Sequence, residues 1–296
     1  MRHSTFRQLE IFESIARHLS FTRAAEELYL TQPTVSMQMK KLADNIGLPL
    51  FERIGSQLYL TDTGKELVQA CHEVFSVLDR FDISVANLQG LKKGKLRITV
   101  VSTAKYFVPR LLGAFCLQYP GVEASLKVTN REQALARLAD NLDDLYVLGQ
   151  PPQGLDVESQ PFLENPLVVL APADHPLAKK RRIPLARFAE EPFLIREPGS
   201  GTRNAVQRLF DEHGLTLNVR MELGSNEAIK QAVIGGLGVS VLSRHTLSQD
   251  QRINELAILD VQGFPILRHW YVVYPAGRQL SIIARTFLEY LQQPGN

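Results

Sequence analysis

Between Thr61 and Val108 the chain has no proline, and within that run Leu67, Cys71, Val74, Leu78, Phe81, Val85 and Leu88 recur at alternating steps of four and three. This is the seam of a coiled coil, narrower than the apolar face of a globular helix. Capped by Thr61 or Asp62, residues 62–88 should form a rod on the order of 40 Å long, at about 1.5 Å per residue. So narrow a stripe does not stabilise a helix standing alone, so the seam calls for a partner, and self-association into a pair is the simplest answer. The bland alternative is an ordinary core helix of a monomer. With 296 residues, 45% of them hydrophobic, the chain has apolar material for separate cores on either side of the rod.

Residues 1–60 read as short helices ending in a hairpin. Leu9, Phe12, Ile15 and Ala16 keep helical spacing until His18-Leu19-Ser20 breaks the run, and a second helix follows over 22–28. Thr31 caps a third helix, with Pro33 in its first turn, where a missing amide costs nothing, and Val35, Met39 and Leu42 as its buried stripe. Gly47 and Pro49 end it. Residues 50–53 and 57–60 then flank Ile54-Gly55-Ser56, the pattern of a two-stranded wing. Small Ala24 and Ala25 let two helices pack closely, as in a helix-turn-helix, and no acidic residue occurs from Leu28 to Ala43 to repel phosphate. The candidate DNA contacts are Thr22, Arg23, Thr31, Gln32, Pro33, Thr34, Ser36, Met37, Gln38, Lys40 and Lys41, with Arg53 beside the wing. The polar ones suit base edges and phosphates, Pro33 and Met37 suit thymine methyls, and the lysines suit the backbone. A merely solvated polar face is the competing reading, and the net charge of +2 decides nothing.

After a polar hinge, Gly90-Leu91-Lys92-Lys93-Gly94, the rhythm changes to alternating strands and helices: strands over 95–101, 122–128 and 143–148, helices over 106–118 and 132–139. This predicts an open, mainly parallel sheet. A second set begins near Pro166 with strands over 167–171 and 193–195 and a helix over 202–212. A last strand over 269–274 and a helix over 280–291 return to the first set. The expected architecture is thus α+β and multidomain: a winged helix-turn-helix (1–60), a linker and dimerisation helix (61–89), and a two-lobed α/β effector domain resembling periplasmic binding proteins (90–296). Lobe I would hold about 94–163 and 268–296, and lobe II about 164–267.

In such a domain ligands collect where strand ends and helix N-termini face a cleft. Ser102 and Thr103, Thr129 and Asn130, and the Gly199-Ser200-Gly201-Thr202-Arg203 run occupy such places, Arg196 precedes the last, and Gln150 follows the third strand, either lining the cleft or joining the lobes. Glycines for close approach, hydroxyls and guanidinium groups suit a small anionic metabolite, phosphorylated or carboxylated. The bland alternative has Ser200 and Thr202 capping their helix while both arginines are solvated.

No nucleophile and base, metal-ligand spacing or phosphate loop appears, so neither an enzyme nor a bound metal or cofactor is expected. Gly235-Gly236-Leu237-Gly238 lacks a dinucleotide spacing and reads as a helix end. Cys71 and Cys116 lack metal-site company and fit a reducing compartment. Charges interrupt the N-terminus too often for a signal peptide, and no stretch holds the roughly 18 apolar residues of a membrane span, which points to the cytoplasm. A stand-alone solute-binding protein would explain the C-terminal half but not the wing.

Leu9-x-x-Phe12, Ser20-Phe21-Thr22-Arg23-Ala24-Ala25, Thr31-Gln32-Pro33-Thr34-Val35-Ser36, Leu48-Pro49-Leu50-Phe51-Glu52-Arg53 and Leu60-Thr61-x-x-Gly64 together resemble the opening of LysR-type transcriptional regulators. The resemblance implies symmetric dimers that pair into tetramers on imperfect inverted repeats of double-stranded DNA, an effector that alters DNA bending, and RNA polymerase as a candidate partner. Many relatives carry a basic residue where this chain has Met37, so the base contact assigned there does not transfer. Met37-Gln38 with Lys40-Lys41, the 102–109 segment and the 196–203 segment resemble the branch that activates carbon-fixation operons, those for ribulose bisphosphate carboxylase, in response to phosphorylated or carboxylated metabolites. A regulator of another metabolic operon is the alternative.

Overall fold

A computed structural model describes residues 4–88, 94–247 and 253–293. It resolves into two compact units, one ending at Asp82 and the other beginning at Ile83. The expected hinge lies outside the described residues apart from Gly94.

Local capping fixes the first unit. Helix α1 (Phe6–His18) opens with a capping box between Thr5 and Gln8, Ser20 caps α2 (Phe21–Glu27), and Thr31 caps α3 (Gln32–Ile46). Gly47, at φ 83°, ends α3 in the left-handed region that glycine adopts without penalty. The wing is β1 (Phe51–Ile54) against β2 (Gln57–Leu60), turning through Gly55. Phe12, Ile15, Ala24, Val35 and Leu42 are fully buried in the shared core, and the Phe12 ring lies 5.3 Å from that of Phe51, which ties α1 to the wing.

Helix α4 (Asp62–Leu88) is the predicted rod. Its first turn is fastened by the Thr61 hydroxyl, which donates to the Pro49 carbonyl at 2.7 Å and accepts from the Gly64 amide at 3.0 Å. At Gly64 a Cβ would lie 2.2 Å from the Leu50 carbonyl oxygen, so α4 can approach the wing only through glycine. Leu67 and Cys71 are buried in the core of this same unit, and burial pushes the Cys71 thiol up to about 11. This corrects the seam: its first two positions pack within the chain, and the apolar surface left over begins further along, with Leu78 41% and Phe81 64% exposed.

In the second unit, lobe I is a five-stranded sheet of order β4-β3-β5-β12-β6, formed by β3 (Gly94–Val101), β4 (Val122–Thr129), β5 (Leu145–Leu148), β6 (Val157–Glu164) and the returning β12 (His269–Pro275). Helices α5 (Val108–Gln118), α6 (Arg131–Ala139) and α10 (Ile282–Leu291) contribute to its core, in which Phe115, Tyr146, Trp270 and Phe287 are buried. The sheet is mixed rather than mainly parallel: β3 pairs in parallel with β4 and β5, but β12, arriving from the other lobe, runs antiparallel to β5 and β6. Sequence periodicity missed β6 because it is a polar edge strand that tolerates Pro161.

Lobe II has β7 (Leu167–Pro172) between two antiparallel neighbours, β10 (Ser240–Ser243) and β11 (Leu256–Leu259), which is again a departure from a parallel sheet. A parallel pair, β8 (Phe193–Arg196) and β9 (Val219–Leu223), joins through a bridge from Phe193 to Val239. Helices α7 (Leu185–Ala189), α8 (Gly201–Glu212) and α9 (Asn226–Ile234) complete it. The segments crossing between the lobes run side by side: the Asn165 amide donates to the Arg268 carbonyl at 2.7 Å, and Leu167 and Ile266 exchange backbone bonds at 3.0 and 3.1 Å.

In the first unit, Glu27 accepts hydrogen bonds from Ser14, Arg17 and His18 at 2.7–2.8 Å. Burial alone would raise its carboxyl, but these donors outweigh it and hold the group at about 2, against an ordinary 4.5. A carboxyl depressed in the folded state contributes stability above its unfolded pKa and loses it as pH falls through the folded one. Thermal melts of Glu27→Gln should therefore show a lower Tm than the parent at pH 7, with the gap closing as pH falls from about 4.5 to about 2.

Candidate functional site

In the N-terminal unit, the start of α3 and the wing border one groove. Thr22, Gln32, Ser36 and Arg53 line it, joined by Ser56, Gln57 and Tyr59, which the sequence reading did not single out. The wing residues were missed because the register that aims them is set only when the hairpin closes. Gln32 donates to the Ser36 hydroxyl at 2.9 Å, and the Thr31 and Thr34 hydroxyls lie 2.8 Å apart, so the first turn of α3 holds its polar groups in a fixed array. Arg23, Pro33, Met37, Lys40 and Lys41 are exposed, Met37 by 49%. Gln38 differs: its side chain accepts from Gln8 of α1 at 3.1 Å, so it fastens α3 to α1.

In the C-terminal unit, a crevice lies where the crossing segments join the lobes. Ser102, Thr103, Asn130, Arg196, Ser200, Gly201 and Thr202 line it, together with Arg131, Gly149, Asn165, Arg268 and Trp270. It is narrow. Three candidates stand apart. The Thr129 hydroxyl is taken by Gln133, Gln150 engages only through its carbonyl, and Arg203 pairs with Glu222 and donates to the Arg196 carbonyl at 2.9 Å.

Ser200 precedes α8 but makes no capping bond with its side chain, although it is buried. The bland expectation that it merely caps the helix therefore does not describe it, and the N-terminus of a twelve-residue helix opens beside its hydroxyl. Arg196 is buried rather than solvated, but Glu197 neutralises it with bonds of 2.6 and 2.7 Å, and it also reaches the Ser102 hydroxyl at 3.0 Å and Asn226. Arg196 thus spends its charge inside the protein and joins the lobes.

The uncompensated charge belongs to two arginines not selected from the sequence. Arg268 donates to the Gly149 carbonyl of lobe I at 2.9 and 3.2 Å and to the Gly201 carbonyl of lobe II at 3.0 Å. Arg131 donates to the carbonyls of Gln150 and Pro151. No ion pair joins either to a carboxylate among the described residues. Burial lowers the pKa of both, with Arg131 and Arg208 adding repulsion at Arg268, which falls to about 10 and stays charged at neutral pH. Two half-buried cations held by carbonyl dipoles, with no carboxylate partner among the described residues, form a site of unspent positive charge, which an anion would complete. Gly149 permits the arrangement, since a Cβ there would lie 2.3 Å from Arg268 Nη2.

Residues 6–65 match the family profile described as "Bacterial regulatory helix-turn-helix protein, lysR family", and residues 89–295 match the "LysR substrate binding domain". The chain belongs to the LysR family. It is a DNA-binding transcriptional regulator, with the winged unit as its helix-turn-helix and the two-lobed unit as the LysR substrate-binding domain. This LysR protein is 55% identical over 291 residues to the HTH-type transcriptional activator CmpR of Synechocystis, covering 98% of this chain and 96% of that one. It is 52% identical over 291 residues to a RuBisCO operon transcriptional regulator of Acidithiobacillus ferrooxidans, covering 98% and 94%. Among solved structures it is similar to the regulatory domain of Synechocystis PCC6803 CcmR in complex with 2-PG, with TM-score 0.66 and 57% identity, covering 68% of this chain and 96% of that one.

Replacing Arg268 by Met should leave the Tm of this LysR protein within a few degrees of the parent, because it removes a partly desolvated charge without a carboxylate partner along with three hydrogen bonds to carbonyls. The same change should weaken binding of a small phosphorylated acid by at least about ten-fold in calorimetry, the scale of a lost charge-assisted hydrogen bond.

Proposed function

We propose that this regulator activates carbon-fixation genes in response to a phosphorylated two-carbon acid of the 2-phosphoglycolate type, acting by binding rather than by catalysis. The observation that carries the ligand half is the pair of carboxylate-free guanidinium groups, Arg131 and Arg268, at one narrow crevice beside the N-terminus of α8. A phosphate satisfies several charge-assisted donors at once, and the small space suits few heavy atoms. Ser102, Thr103, Asn130, Ser200, Gly201 and Thr202 supply the remaining donors. The relative solved with 2-PG and the relatives named for carbon-fixation control support the same class of ligand and target.

On the DNA side, the proposal assigns base reading to Gln32, Pro33, Thr34, Ser36 and Met37, and phosphate contact to Thr22, Arg23, Thr31, Lys40, Lys41 and Arg53. Gln38 becomes a positioning residue, because its amide is engaged by Gln8. Exposed apolar groups on α4, among them Val77, Leu78 and Phe81, support a homodimer that binds the two halves of an inverted repeat. A tetramer, contact with RNA polymerase, a cytoplasmic location and the division into reading head, linker and effector domain complete the reading. No helix among the described residues is long and apolar enough to cross a membrane.

Fluorescence anisotropy on an inverted-repeat fragment from a carbon-fixation promoter, with and without 2-phosphoglycolate, tests the proposal. Sequence-selective, salt-sensitive binding whose profile the ligand alters is the expected result, and indifference to the ligand would overturn the effector assignment. Lys41→Ala should weaken binding evenly across sequences and reduce the salt slope by about one. Phe81→Asp, which places a charge on the remaining seam, should shift the chain toward monomer in analytical ultracentrifugation and lower operator affinity with it.

A further inference from the structure

Trp270 is the only tryptophan in the chain, and it is completely buried. Its indole Nε1–H, itself buried, has no hydrogen-bond acceptor among the described residues. Such a donor is costly: an indole N–H left without a partner forfeits the bond it made to water in the unfolded chain. The ring has little freedom to seek one, because Phe107 packs against it tilted by 50° at 5.3 Å between centroids and His245 closes in at 6.4 Å. Yet Trp270, at the start of β12 and two positions beyond Arg268, also lines the crevice that Arg268 lines. The orphaned donor therefore belongs to the same cavity as the unspent positive charge.

The two features differ in chemistry. Arg268 contacts the carbonyls of Gly149 and Gly201, whereas Trp270 packs beside Phe107, just past the Ser102-Thr103 strand end. A guanidinium offers several charged donors in a plane and suits the more highly charged group of a ligand. An indole offers one neutral donor and can accept nothing, so it tolerates only an acceptor atom opposite it. Resting on the ligand class proposed above, we propose that the Trp270 indole N–H is a specificity-determining donor that hydrogen-bonds a carboxylate oxygen of the effector while Arg268 and Arg131 hold its phosphate. The crevice then recognises the pairing of the two groups, and a phosphate ester without the carboxylate leaves the indole unsatisfied.

The sole tryptophan makes the test direct. In the parent protein, a single indole ¹H–¹⁵N resonance reports on this group, and 2-phosphoglycolate should move its proton downfield while ethyl phosphate, which lacks the carboxylate, leaves it in place. Calorimetry on Trp270→Phe, which keeps the aromatic body and removes the N–H, should show about ten-fold weaker binding of 2-phosphoglycolate and unchanged binding of ethyl phosphate. An unmoved indole resonance in parent protein saturated with 2-phosphoglycolate overturns the assignment while sparing the ligand, and so does an equal loss for both ligands in the variant. If the parent binds no 2-phosphoglycolate at all, the ligand class itself falls and the indole assignment with it. Should Trp270→Phe fail to fold, the parent resonance alone decides.

Discussion

The C-terminal unit depends on the pairing of two crossing segments, in which Asn165 bonds to Arg268 and Leu167 exchanges bonds with Ile266. Because these strands leave one sheet and enter the other side by side, side chains far apart in sequence meet at a single line. Arg268 stands on that line and spans it, with one carbonyl partner in each lobe. Gly149, Gly201 and the start of α8 come into reach of the same guanidinium only because the crossing places them there.

The two arginines of the second set that the sequence did offer, Arg196 and Arg203, illustrate why residue type alone misleads about charge. Each has an acidic partner, Glu197 or Glu222, so each contributes to cohesion more than to recognition. Among the described residues Arg131 and Arg268 have only peptide oxygens as partners, and their field remains available to a visitor. What separates the pairs is the presence of a carboxylate within bonding distance, which depends on tertiary placement.

Much of the first unit was legible because its determinants are local. Thr31 and Pro33 mark the start of α3, Gly47 its end and Gly55 the wing turn, each within a few residues of the atoms it governs. The same holds for Ser102, Thr103, Asn130 and the Ser200 run, which sit at strand and helix ends readable from periodicity. Arg268 had no such signal, since nothing near Leu267 or His269 tells that the chain is passing between sheets. The antiparallel course of β12 and the edge strand β6 were hidden for the same reason. Gln38 and the Leu67 and Cys71 positions were assigned outward, toward DNA or a second helix, when α1 and the wing already claimed them. Periodicity identifies an apolar or polar face, and only the folded neighbours show which face is still vacant.

The lobes already touch through Arg196, which reaches the Ser102 hydroxyl, and through Tyr106 on Glu227. A ligand that could enter only with these contacts parted would bind with its intrinsic affinity multiplied by the fraction of molecules standing ajar. In that case the concentration range of the response would be adjustable at Ser102, Tyr106, Arg196 and Glu227 by substitutions that never meet the ligand.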